Sequence, residues 1–422
     1  MEALMLVVHA VIIVSISFFL WKKERHSFFW PALFFKLLAG VLVGLLYRYY
    51  YSTGDTWAFF NDGVSIADSV RQHPNWFIKF FWNDDFSILG TMMENDRPRS
   101  VYLVKWVAFF NLLDQNNYWI TSLYFSFTSF FASWVLFQTL TKYFSGIRVE
   151  AAIAVLFIPS VIFWGSGIIK ESLAIASLFG ITAWFISWYF NRRFSILKII
   201  AGLISFWILW NLKYYWAGVW LAVVVPVILI QWVGMKIKLV HQNPKWSWFM
   251  LLIIVIAGIS IIHPNFYYDR ILAVIVENHD AYLRISNSGG VIHFYNLQPS
   301  VFSLFMNSPW ALFSGIFRPT IFEAGNFLQT AASLENLILL VLLLMSLIHF
   351  RIQFNPWNEL HLAMAAYIIL LASFLALSTP NLGSLSRFKI GFTPFLWLAL
   401  LYYSGIVRIV SAFYQSKFPS KR

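Results

Sequence analysis

The sequence predicts an all-α fold: a polytopic transmembrane helical protein of about eleven spans (roughly nine to thirteen). Three observations lead there. Of the 422 residues, 60% are hydrophobic and only 11% are charged, whereas a soluble domain carries about a quarter charged residues and could not cover its surface with so few. Apolar runs recur at close to 20 residues, the length that crosses a bilayer. Lysine and arginine gather in alternate loops, as they do on the cytoplasmic side of membrane proteins. The formal charge of +12 follows from that loop bias, so no nucleic-acid partner is expected. With no cysteine, disulfides, a thiol nucleophile and thiolate metal sites are excluded.

Taken in order, the apolar runs are 3–21, 28–49, 118–140, 151–167, 172–190, 197–212, 215–235, 246–263, 332–350, 359–377 and 392–412. The first is followed by Lys22, Lys23 and Arg25 rather than by small residues, so it is expected to be a span and not a cleaved signal. The stretch 101–113, "VYLVKWVAFFNLL", is short and holds Lys105; it is read as an interfacial helix. The segment 301–317 is apolar but interrupted by Asn307, Pro309 and Gly315.

The basic group "KKERH" (22–26) is placed in the cytoplasm. Counting spans from it puts Lys142 and Arg148, then Arg192, Arg193 and Lys198, then Lys236, Lys238 and Lys245, then Arg351 and the tail "QSKFPSKR" on the same side. This agreement requires 101–113 not to span. Residues 1–422 then form one multispanning domain in a bacterial inner (cytoplasmic) membrane, with the N-terminus outside and the C-terminus cytoplasmic. Two long loops, 50–117 and 264–331, face outward with three short polar turns. The first is acidic, carrying Asp55, Asp62, Asp68, Asp84, Asp85, Glu94, Asp96 and Asp114. Chemistry is expected on this face.

"YYSTGDTWAFFNDG" (50–63) opens the first loop. Asp55 and Asp62 stand seven residues apart, two turns along one helix face. Asp55 could serve as a general base toward a hydroxyl or bind a divalent ion; it could equally cap the helix that follows. "WNDDFSILGTMMENDRPRS" (82–100) pairs acids with Arg97 and Arg99, suited to a metal or a phosphate-bearing donor, or to a loop laced with salt bridges.

"FIPSVIFWGSGIIKESL" (157–173) breaks an apolar run with Pro159, two glycines, Lys170 and Glu171. Charge at that depth is costly and is kept for a purpose: Lys170 could hold a phosphate, and Glu171 favours the first helical turn. An intrahelical charge pair is the plainer alternative. "WNLKYYWAG" (210–218) sets Lys213 among aromatics, either snorkelling or contacting a sugar or phosphate. "FRPTIFEAGNFLQTAASLEN" (317–336) supplies Arg318, a bidentate phosphate ligand, with Glu323 and a Glu335 whose burial would need a partner. "SLSRFKIGFTPFL" (384–396) puts Arg387 and Lys389 on the outer side against the charge rule, where an anionic ligand would explain them. No nucleotide loop, zinc-type pattern or nucleophile elbow occurs, and the scattered histidines lack ligand spacing. No metal site or cofactor is expected, a divalent cation aside.

An early span followed by "YYSTGDTWAFFNDG" resembles the integral-membrane GT-C glycosyltransferases. "PSVIFWGSGIIKESL", "FRPTIFEAGNFLQTAASLEN" and "SRFKIGFTPFL" are similar to stretches of polytopic proteins from bacterial polysaccharide clusters. The resemblance implies a sugar donor on a polyprenyl phosphate, a glycan or lipid-linked acceptor, and an outer-loop aspartate as base. On this sequence that role falls to Asp55, then Asp62, with Lys170, Glu171, Lys213, Arg318, Glu323, Arg387 and Lys389 binding substrate. The acidic loop here follows the second span rather than the first, as is usual in GT-C enzymes. Two alternatives stay open: an O-antigen or exopolysaccharide polymerase or ligase, and a transporter or flippase for lipid-linked oligosaccharides.

Overall fold

A computed structural model describes residues 2–51, 55–86, 93–191, 195–233, 237, 240, 242–262, 264–286, 290–349 and 358–417. Gly54, part of the 82–100 stretch, Arg192, Arg193, Lys236, Lys238, His263, Arg351 and the end of the basic tail lie outside the described residues. The described chain is helical, with one isolated antiparallel bridge between Val291 and Asn381. It is a polytopic helical membrane protein: eight described helices are long and apolar enough to cross a bilayer.

These eight cover nine of the eleven runs, because Ile196–Val233 absorbs two of them across a non-helical break at Lys213 (φ −141°, ψ 66°). The other two runs are broken by local chemistry. Residues 151–167 form the short helix Arg148–Ala152, a π-helical turn at Ile153–Phe157 and the helix Pro159–Trp164, since proline cannot continue the hydrogen-bond ladder. Residues 392–412 divide at Gly405, whose φ of +66° is left-handed, into Thr393–Ser404 and Ile406–Lys417. The 101–113 stretch lies in Pro98–Asp114, 17 residues long.

The chain divides into two compact units: residues 1–146 with 155–214, and residues 147–154 with 215–422. In the first, the helix Tyr118–Tyr143 packs against Phe29–Tyr49 and Lys170–Asn191. Small residues allow the close approach: a Cβ on Gly40 would strike Ser126, and one on Gly44 would lie 2.6 Å from the Tyr118 ring. The start of Tyr118–Tyr143 is fixed by Asn117, whose Oδ1 accepts from the Trp119 and Ile120 amides, satisfying donors that a helix start leaves open. The acidic loop folds into Asp55–Gln72, Trp76–Phe81 and Pro98–Asp114. The first and last of these pack face to face, Gly63 against Val107.

In the second unit, Val301–Phe317 packs on Glu359–Ser378, and Phe327–His349 on Thr393–Ser404. The former contact depends on Gly315, where a Cβ would run into the Ala372 carbonyl.

Candidate functional site

Most of the predicted site residues fall in two clusters, one in each unit. The first is built on three helix starts. Pro159–Trp164 ends at Gly165, the chain turns through Gly167 (φ +73°), and Lys170 begins the helix Lys170–Asn191. Glu171, 1% exposed, forms an ion pair of 2.6 Å with Lys213, 6% exposed, at the backbone break. The Lys170 ammonium donates to Ser100 Oγ at 2.8 Å and lies 5.1 Å from the centre of the Phe59 ring. Ser100 is buried at the start of Pro98–Asp114.

Asp55 is the exposed first residue of Asp55–Gln72. Helical periodicity puts it on the face of Phe59, one turn on, and thus toward Lys170. Lys170 stands within electrostatic reach of Lys213, Glu171, Asp55 and Arg99. Arg99 sits over the Tyr214 ring at 5.4 Å. Among the described residues, no carboxylate comes within 4 Å of Arg99 or Lys170. The segments 52–54 and 87–92 contain no acid.

The Lys170–Glu171 intrahelical pair is not what forms. Neighbouring residues on a helix point about 100° apart, and here they take different partners: Glu171 the buried Lys213, Lys170 the hydroxyl of Ser100. Nor does Lys213 snorkel; it is buried. Asp62 lies apart from the cations. Its oxygens accept the Glu94 amide (3.0 Å), the Asn95 amide (3.1 Å) and Asn95 Nδ2 (2.9 Å), tying the loop to the helix. Of the aromatics near these segments, Trp57 stacks on Tyr118 at 3.8 Å, and Trp216 is buried in the second unit against Gly391.

The second cluster joins Arg318, Glu323 and Lys389. Arg318 pairs with Glu323, its Nε donating at 2.7 Å, and covers the Trp310 ring. Glu323 Oε2 also accepts from the Thr320 amide and hydroxyl, each at 2.8 Å. Burial pushes the Glu323 carboxyl up, but the hydrogen bonds from Arg318 and Thr320 outweigh it and hold the group below the ordinary value. Lys389, 2% exposed, donates to Asn336 Oδ1 and to the Ile316 carbonyl (3.4 Å), with Glu335 in electrostatic reach. Burial lowers its ammonium to about 8. Asn336 Nδ2 in turn donates to the Pro319 carbonyl at 2.8 Å, so one amide links the Lys389 and Arg318 segments. Arg387 is half-buried on Leu382–Phe388.

The chemistry available in the first cluster is anion binding beside a carboxylate. Arg99 offers a planar bidentate fork and Lys170 a point charge, while Glu171 neutralises Lys213. Ser100 and Asn336 carry no sequence signal that marks them, whereas Lys36 is a charge inside the apolar run 28–49 that hydropathy alone passes over. Among the described residues, no group of three or more His, Asp or Glu side chains is placed to hold a metal ion. The chain matches no family model, no curated protein and no solved structure.

Proposed function

We propose that this protein is a membrane glycosyltransferase that moves a sugar from a polyprenyl-phosphate donor to a glycan or lipid-linked acceptor, on the outer face of a bacterial inner membrane. The observation that carries the reading is the pair of cations Arg99 and Lys170, without carboxylates in ion-pair range among the described residues, with Asp55, the exposed first residue of the helix that follows a membrane span, in electrostatic reach of Lys170.

In this reading the donor phosphate binds between Arg99 and Lys170, with Tyr214 and Phe59 flanking it. The acceptor hydroxyl oxygen attacks the anomeric carbon, and the bond from that carbon to the phosphate oxygen breaks. The hydroxyl proton passes to Asp55. The departing polyprenyl phosphate keeps the electron pair, its charge met by the two cations. A lipid-borne donor needs no nucleotide-binding loop, which accords with the absence of one from the sequence.

The test is transfer from a radiolabelled polyprenyl-phosphate sugar in membranes carrying the protein. Label should reach a glycan product with the natural sequence and fail to do so with Asp55→Asn, expressed and folded to the same level. Equal transfer by both would remove the reading.

A further inference from the structure

One buried charge in the first unit has no part in the proposed transfer. Lys36 lies in the apolar helix Phe29–Tyr49 and is 4% exposed. Among the described residues it has no carboxylate within 4 Å; its ammonium donates to the Val161 carbonyl at 3.1 Å. A lone ammonium in an apolar span is costly, so what it grips matters.

Val161 belongs to Pro159–Trp164, which ends three residues later at Trp164. Its carbonyl also accepts the Gly165 amide at 3.1 Å. Lysine is suited to the open carbonyls of a helix end, and Lys36 supplies that cap from another helix. The fit is close: a Cβ on Gly165 would collide with the Val161 carbonyl and lie 2.6 Å from Lys36 Nζ.

One turn further along the same helix, Gly40 meets the same turn of chain. A Cβ on Gly167 would lie 3.3 Å from the Gly40 carbonyl. That carbonyl accepts Ser122 Oγ at 3.0 Å, and the Gly167 amide donates to Ser126 Oγ at 3.0 Å. The Gly165–Ile169 turn is therefore held at two levels by Phe29–Tyr49 and at one by Tyr118–Tyr143, and Lys170 is the next residue.

We propose that Lys36 is a positioning residue for the anion site: by holding Val161 it fixes the turn from which Lys170 and Glu171 are presented. The inference rests on the functional reading above for its purpose, but its structural content is separate. If Lys36 acts this way, its loss should move Lys170 without unfolding the chain.

The test uses the full chain in detergent micelles, with Lys36→Met, Lys36→Arg and Gly165→Ala. One readout is the rate at which a water-soluble amine reagent acylates Lys170, followed by mass spectrometry. The other is binding of farnesyl phosphate. Lys36→Met should change the Lys170 acylation rate and weaken farnesyl phosphate binding on the order of tenfold, the size of a lost charge-assisted hydrogen bond. Lys36→Arg should restore both. Gly165→Ala, whose Cβ would press on both the ammonium and the Val161 carbonyl it grips, should also change the Lys170 rate and carries the test if Lys36→Met does not fold. Unchanged Lys170 acylation in both Lys36→Met and Gly165→Ala overturns the proposal, as does an Lys36→Arg variant as impaired as Lys36→Met. Absence of farnesyl phosphate binding by the natural protein would count against the functional reading alone, the acylation rates still deciding the role of Lys36.

Discussion

Glu171 and Lys213 meet at 2.6 Å from different helices, and both side chains are shielded almost completely from solvent. A pair of this kind adds little net stability over an apolar substitute, yet removing one partner strands a buried charge. Lys213→Met or Glu171→Gln alone should therefore destabilise the protein by about 3–5 kcal/mol. The double variant Lys213→Met with Glu171→Leu should recover most of that loss. Denaturant unfolding in detergent, followed by tryptophan fluorescence, measures both; equal losses for single and double variants would contradict the coupling.

Asp55 and Asp62 share a helix but should answer differently to the same change. Asp55→Asn should abolish sugar transfer while leaving the unfolding midpoint within about 0.5 kcal/mol of the parent, as an exposed substitution does. Asp62→Asn turns one of the two accepting oxygens into an NH2 donor, so only one of the Glu94 and Asn95 amides keeps its acceptor. It should speed proteolysis in the loop around Glu94 and Asn95, with a smaller effect on transfer.

Arg99 and Lys170 should act together on anion binding. Arg99→Met and Lys170→Met should each weaken binding of farnesyl phosphate by roughly tenfold. Binding to the natural protein should weaken as salt rises, because exposed charges are screened. Titration at several ionic strengths reads both effects.

Glu323 sets an acid limit on the second unit. Folded, its carboxyl is held below the ordinary value, so in that interval the folded chain binds fewer protons than the unfolded one. Stability from the Arg318–Glu323–Thr320 clasp is fully present above the ordinary carboxylate range and is lost as pH falls through the depressed value. Glu323→Gln should flatten this acid limb of the stability profile. A profile of unchanged slope would mean that other carboxylates dominate it.

Gly315 should not tolerate a side chain. An added methyl would meet the backbone carbonyl of Ala372, which cannot turn aside as a side chain can. Gly315→Ala should cost about 1–3 kcal/mol through forced separation of the two helices, measurable as a lowered midpoint of thermal unfolding.

The helical membrane fold was legible because length and hydropathy suffice to mark a span. The places where the runs failed to become single helices are those where a backbone property overrides hydropathy: Pro159 and the π-helical turn in one, Gly405 in the other. Lys170, Glu171 and Lys213 stood out as charges in apolar surroundings, but their pairing did not. Residues 171 and 213 lie on different helices, and only packing decides that they meet. Arg99 read as part of a solvated acidic loop, and its separation from the acids around it is a tertiary fact. Lys36 was legible as a charge inside the apolar run 28–49, but a hydropathy window passes over it, since one lysine barely lowers the mean of a long apolar stretch.

The eight residues from Ile147 to Ala154 belong with the second unit although the first surrounds them in sequence. Their helix Arg148–Ala152, with Glu150 buried, packs against Thr393–Ser404. A nascent chain must therefore finish nearly its whole length before this early segment finds its cover. Until then a glutamate and two alanines meant for the interior face lipid or water. Chains that stop short of residue 393 would display that uncovered segment, a mark by which a membrane protease can tell them from finished molecules.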